Sequence, residues 1–342
     1  MAVASLSQQT RPLDIGEHQR LNTHLIDLRT TAPDMFHDLS DTDWSKVRWR
    51  DVGRPFKVEN YSSVRRDWER SHGEEMPVRD QWRYFNRYFH ELFVTDIPAK
   101  QKEVRQDFWD ALTHVNRAEI AEAFGEFLQI QVWNKIHRKE DAVWDPRGKR
   151  ALFEGLDVER PNILFLGAAD GYEAMQLMAM YPGGHAVLVD YDDFCEEERF
   201  GKFPEAYPFL GHDPATGGHK VYYREDFDIT FEVKDIRDLD LAPEFDIVLS
   251  VGLIEHFPDE YKPHCTEFHK RFLKPGGYAV ITTPRNQLRS RLYYRVMGEL
   301  VNFGYRELMT CEQMGLYMYE NGFDILRSGV IKAHNGLIAK AR

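Results

Sequence analysis

Residues 167–171, Gly-Ala-Ala-Asp-Gly, are the segment of this chain most open to chemistry. Small residues let backbone approach a ligand closely, and a helix starting after them offers unpaired N–H groups. Gly167 and Gly171 stand four apart, with Ala169 between them. A dinucleotide loop wants its last small residue one position later, where Tyr172 stands, so GxGxxG fits poorly. No Lys-Ser or Lys-Thr pair follows, which excludes a Walker-type phosphate loop. Glu173, in the first turn of the expected helix, would oppose a bound phosphate. A loop without phosphate chemistry suits a ligand with a carboxylate, a sulfonium and a nucleoside. Alone, such a strand–glycine–helix turn can also be purely structural.

Further carboxylates and cations follow at later strand ends. Asp190 lies 23 positions past Gly167, where a carboxylate can accept both hydrogen bonds of an unphosphorylated ribose. Asp235 comes after the next apolar run and could reach an adenine amine, with Asp238 and Asp240 crowding the same segment. Glu255 and His256 follow a fourth run and are candidates for a general base, which a hydroxyl or ammonium acceptor needs and a thioether does not. Arg285, Arg289 and Arg291, with Tyr293 and Tyr294, read either as a solvated basic turn or as a clamp for a substrate carboxylate. Trp82, Tyr84, Trp133 and Trp144 could form a lid whose rings attract a sulfonium or ammonium; helix packing or dimerisation is the other use. His137, His264, His269 and His334 have no motif around them and read as surface or structural residues, and no Asp/His spacing suits a metal.

The elements that must position these groups alternate from Pro161 onward. Apolar runs at 162–166, 185–189, 231–233, 245–251 and 278–283 read as strands. Helical patterns at 171–181, 259–273, 290–301 and 311–320 lie between or after them, and 323–327 and 336–339 close the chain as short strands. Pro182-Gly183-Gly184 stops the first of these helices, 274–277 reads as a tight turn, and 192–220 is a polar, glycine-bearing insertion. This order predicts an α/β fold: a Rossmann-like, seven-stranded, mostly parallel sheet with helices on both faces. The candidate residues then sit at the carboxyl ends of neighbouring strands, where open parallel sheets bind ligands. Upstream the texture is helical and aromatic. Trp82, Phe85, Tyr88, Phe89, Leu92 and Phe93 recur every three to four residues, a second helical stretch runs over 99–136, and 18–28 could be a helix. The division is therefore 1–150, a helical N-terminal region serving as lid or dimer contact, and 151–342, the ligand-binding domain.

Composition narrows the partners. With 342 residues and a formal net charge of −12, nucleic acid is disfavoured as the main partner, because its binders concentrate positive charge. Hydrophobic content of 42% can build a core, and the 13% aromatic share points to a ring-rich core, interface or pocket. Three widely spaced cysteines give no disulfide framework, and neither a signal-peptide pattern nor a membrane-length apolar run is read. A soluble cytoplasmic protein is the expectation.

Five motifs in order give a family likeness. The chain resembles a class I S-adenosylmethionine-dependent methyltransferase of the small-metabolite group, over roughly 161–341. The resemblance rests on 166–171, on Val187-Leu188-Val189-Asp190, and on 245–251 followed by Ile254-Glu255-His256. It continues through 272–277 into Thr283-Pro284 and ends with the late helix and Gly322-Phe323. Phe165 stands where the family usually has an acidic residue, and Ala169 where it has a glycine. The resemblance implies S-adenosyl-L-methionine as cofactor, held by Gly167, Ala168, Ala169, Asp170, Gly171, Asp190, Tyr191, Asp235, Ile236 and Val251. It places Arg285, Tyr293 and Tyr294 on the side of a small-molecule acceptor and Glu255 and His256 near the transferred methyl; Trp133 among the N-terminal rings is a further candidate for the acceptor side, and a homodimer is expected. The metal-dependent branch has an acidic residue where Ser250-Val251-Gly252 stands, so no metal is expected. The reading leans to S-methylation of a methionine-like thioether. Its alternatives are O- or N-methylation with Glu255 or His256 as base, and S-adenosylmethionine binding without catalysis. An NAD-dependent oxidoreductase is disfavoured by the loop spacing.

Overall fold

A computed structural model describes residues 36–94, 97–114 and 152–342 apart from 204, 206, 208 and 332, together with 118–121, 123–125 and 127. The strands in chain order are β1 (Phe36–Asp38), β2 (Phe56–Lys57), β3 (Asn162–Leu166), β4 (His185–Asp190), β5 (Phe209–His212) and β6 (His219–Tyr222). They continue as β7 (Asp228–Val233), β8 (Phe245–Val251), β9 (Leu273–Pro284), β10 (Glu307–Leu308), β11 (Phe323–Ile331) and β12 (His334–Ala341). The longer helices are α1 (Ser63–His72), α2 (Val78–Val94), α3 (Ile97–His114), α4 (Tyr172–Met180), α5 (Lys262–Phe272), α6 (Leu288–Val301) and α7 (Cys311–Glu320).

One sheet of eight strands runs β1-β11-β12-β9-β8-β3-β4-β7. Pairing is parallel from β9 through β8, β3 and β4 to β7, while β12 is antiparallel to both β9 and β11. The expected α/β, mostly parallel sheet is present, with β1 added antiparallel at the β11 edge. The central strands are apolar throughout because both faces are covered. Ile163, Phe165, Ala186, Leu188, Ile247 and Leu249 pack with Ala174, Leu177 and Met178 of α4 on one face. Their neighbours Leu164, Leu166, Val187, Val189 and Val248 pack with Cys265 and Phe272 of α5 and Met314, Leu316 and Met318 of α7 on the other. The period of two along each strand thus divides one sequence between two cores.

Three local departures have simple causes. β9 begins at Leu273, before the expected turn. Its register on β8 jumps from Phe245–Leu273 to Ile247–Tyr278, so the Pro-Gly-Gly residues are spliced in as a bulge, with Gly276 at a φ of 79°. The 192–220 insertion holds the β5–β6 hairpin, whose Phe209 and Tyr222 are buried with Tyr172 and Met175 of α4. Residues 36–72, which a division at 150 assigns to the helical part, are tied to the sheet. β1 pairs with β11, β2 pairs with β10, and the Trp44 ring lies where a side chain on Gly315 would have to go. Among the described residues, no helix is long and apolar enough to cross a membrane.

Candidate active site

β3 delivers the chain to the glycine loop. The Gly167 and Ala168 amides both donate to the Val189 carbonyl of β4, at 2.9 and 3.0 Å, which closes the loop over the neighbouring strand end. Gly167, Ala169 and Gly171 all take positive φ, at 68°, 52° and 74°. For Ala169 that conformation is strained, as often found where backbone wraps a ligand. Gly171 is required twice over: a Cβ there would also sit 2.6 Å from Leu188 Cδ1. A Cβ on Gly167 would meet only Leu253, at 3.7 Å. α4 starts directly after Gly171 with no side-chain cap, and Asp170 Oδ1 accepts from the Tyr172 amide at 3.2 Å.

Asp190 ends β4 with its carboxylate turned to that loop. Oδ2 accepts from the Ala169 amide and Oδ1 from the Asp192 amide, each at 3.2 Å. Burial raises its pKa, and the two backbone donors oppose that rise. Each oxygen uses one lone pair in these bonds, so a second on each can receive a ribose diol. The loop and the strand-ending carboxylate therefore fit a nucleoside ligand without phosphate. The fully buried Asp192 accepts from Asn86 Nδ2 at 3.0 Å and Arg87 at 3.1 Å, both on α2. Asn86 Oδ1 in turn accepts from Arg199 at 3.3 Å, and Arg199 lies 3.7 Å from Asp170. The Tyr191 hydroxyl donates to the Arg79 carbonyl at 3.2 Å. α2 is thereby fastened to the segment that follows β4. Sequence reasoning missed Asn86, Arg87, Asp192 and Arg199; the polar pair Asn86-Arg87 interrupting an aromatic helix was the available signal.

β8 carries Glu255 and His256 in the short turn beyond it. Glu255 is buried, and its Oε1 lies 3.2 Å from where a Cβ on Gly252 would stand. Burial pushes its carboxyl up to about 7, against the pull of the Arg306 guanidinium. Its Oε2 has no hydrogen-bond partner. His256 Nδ1 donates to the Tyr305 carbonyl at 2.6 Å, leaving Nε2 as the acceptor, 3.6 Å from Glu255 Oε1. Burial and Arg306 hold this imidazole neutral. The Trp82 ring of α2 meets it edge-on at 4.2 Å. Leu253, which faces Gly167, lies between the glycine loop and this turn.

The other expected residues scatter. Asp235 caps the turn after β7, and both its oxygens are already held by Arg237, at 2.9 and 2.6 Å. Ile236 is half-buried beside it, and Val251 ends β8 half-buried. Tyr294 is buried with Val58, Met297 and Leu308, and Tyr293 packs against that cluster. Arg285 lines a cavity of about 490 Å³ with Thr42, Cys311 and Asn335, whose lining includes neither Glu255 nor the glycine loop. Trp133, Trp144 and His137 lie outside the described residues. His269 is structural: it is buried, bonded through Nε2 to Ser250 Oγ at 2.8 Å and through Nδ1 to the Cys265 carbonyl. Among the described residues, no cluster of three or more His, Cys, Asp or Glu could hold a metal.

A glycine loop after one parallel strand and an acidic end on the next is an arrangement at which open α/β sheets bind nucleosides. Residues 136–328, more than half of the chain, match the profile of the family described as methyltransferase domain. The chain belongs to this family, and it is a methyltransferase whose cofactor is S-adenosylmethionine. No curated protein matches it. Solved structures with a similar fold include a protein from Bordetella parapertussis, 20% identical over 56% of this chain and 65% of that one, with a TM-score of 0.43. A S-adenosylmethionine-dependent methyltransferase from Aquifex aeolicus is 16% identical, covering 60% and 93%, with a TM-score of 0.44. Human N-acetylserotonin methyltransferase, solved with its methyl donor, is 14% identical, covering 74% and 69%, with a TM-score of 0.44.

Proposed function

We propose that this chain methylates a hydroxyl or amine of a small-molecule acceptor, with Glu255 as general base. Gly167–Gly171 and Asp190 hold the methyl donor in this reading, with Tyr191, Ile236 and Val251 along its nucleoside. S-adenosylmethionine supplies an already activated methyl group, so the protein's tasks are alignment, exclusion of water and removal of the acceptor's proton. The observation that carries the choice of acceptor is Glu255: a buried carboxyl raised to about 7, with one oxygen unpartnered. A base is most effective with a pKa near the working pH. His256, held neutral, stands next to it with Nε2 3.6 Å from Glu255 Oε1. Transfer to a thioether, to which the sequence leans, has no use for such a group.

The test is a metabolite panel read by S-adenosylhomocysteine formation, with methionine included and its sulfonium sought by mass spectrometry. Hydroxyl or amine acceptors should turn over, and Glu255→Gln should stop them. Sulfonium formation at full rate in Glu255→Gln would restore the thioether reading. Donor binding without product from any acceptor would favour a binding protein.

A further inference from the structure

The buried charge at the acceptor side does not balance. Arg306 is buried between α6 and β10, and one of its terminal nitrogens donates to the Tyr294 hydroxyl. Among the described residues its Nε has no hydrogen-bond partner. Among the described residues no carboxylate forms an ion pair with it, and Glu255 acts on it only at longer range. Glu255 itself is held partly protonated by burial. The other buried cation nearby, Lys262, is satisfied by Glu307 and by the Phe257 carbonyl. Arg306 is therefore left as a desolvated cation with an open donor edge, an arrangement that costs stability unless an anion completes it. Rings enclose it: its guanidinium carbon lies 5.1 Å from the Tyr294 ring centre and 5.6 Å from that of Phe85. Phe85 meets Trp82 edge-on at 5.5 Å, and Trp82 meets His256.

We propose that Arg306, not Arg285, is the anchor for a carboxylate on the acceptor, whose apolar or aromatic body lies against Trp82, Phe85 and Tyr294 and whose hydroxyl or amine reaches Glu255. This rests on the acceptor site proposed above and adds its substrate class: an apolar or aromatic acid bearing a hydroxyl or amine. The planar guanidinium matches a carboxylate through paired donors, which a neutral amide cannot reproduce.

The test separates binding from turnover. The full chain, saturated with S-adenosylhomocysteine, is titrated calorimetrically with benzoate and with its neutral counterpart benzamide. Benzoate should bind roughly 10- to 100-fold more tightly, the range expected of a charge-assisted hydrogen-bonded pair. Arg306→Gln should erase the difference. Arg306→Lys, which keeps the charge and loses the Nε edge, should keep part of it and serves where the Gln variant does not fold. Glu255→Gln should retain the benzoate preference while losing turnover. Equal affinity for the two probes, binding of neither, or a preference that survives in Arg306→Gln overturns the proposal. Failure of the methyl-transfer reading looks different: no acceptor yields S-adenosylhomocysteine, yet benzoate is still preferred.

Discussion

The two halves of the site differ in how their polar groups are satisfied. On the cofactor side, Asp190, Asp192, Asn86, Arg199 and Asp170 bond to one another or to backbone amides. On the acceptor side, Glu255 Oε2 and Arg306 Nε are buried without a hydrogen-bond partner among the described residues. A buried polar group without a partner costs about 1–3 kcal/mol, more for a charged one. In the reading proposed above, the first half is a finished mould for the methyl donor. In the same reading the second becomes complete only when the acceptor arrives, and α2 spans both by touching Asp192 with Asn86 and His256 with Trp82.

Breaking the acceptor side should have the largest effect. Glu255→Gln should lower kcat/KM by roughly 10²- to 10⁴-fold, the usual contribution of a positioned base. In the native chain the base form exists above about 7, so kcat/KM should rise with pH and level off there; stopped assays across pH 5–9 should show that limb, and the Gln variant should lack it. The stability effect has the opposite sign. Between its ordinary value of 4.5 and about 7, the folded chain keeps a proton on Glu255 that the unfolded chain has lost. This group's contribution is full below that window and falls as pH rises through it. Denaturant titrations should show Glu255→Gln with a flatter dependence across the window.

Breaking the mould should matter next. Gly171→Ala forces a side chain into a φ of 74° and against Leu188; about 1–3 kcal/mol of strain should appear as a lower Tm and weaker donor binding. Asn86→Ala strips one donor from buried Asp192 and leaves Arg87 in place. It should cost about 1 kcal/mol by chemical denaturation and loosen α2, with donor affinity lowered less than by Gly171→Ala. At the low end, Asp235→Asn should change donor affinity by less than about threefold, because Arg237 already occupies a half-exposed carboxylate whose ion pair is worth little. A large loss there would mean that Asp235 leaves Arg237 to bind the nucleoside.

What was legible in the sequence follows the same division. The apolar runs, the glycine loop and Asp190 are local features, so their spacing places them without knowledge of distant contacts. The Asn86–Asp192 bond joins residues 106 positions apart, and Arg306 lies in a segment with no strand or helix pattern of its own. Nothing in their immediate neighbourhoods marks them; burial and the absence of partners do. Arg285 had the better local context, a position just past β9, and the fold turned it toward a different cavity. Residues 36–57 carry no local strand pattern for a related reason. Their strands are two or three residues long and form only against β10 and β11.

In the proposed reading, Gly167–Gly171 and Asp190 bind S-adenosylmethionine. Calorimetric titration of the native chain and of Asp190→Asn with S-adenosylmethionine and with NAD tests it most directly. The account predicts saturable binding of S-adenosylmethionine, none of NAD, and affinity lowered roughly 10- to 100-fold in the variant through loss of charge-assisted bonds to the ribose. Tight NAD binding with no response to S-adenosylmethionine would contradict it.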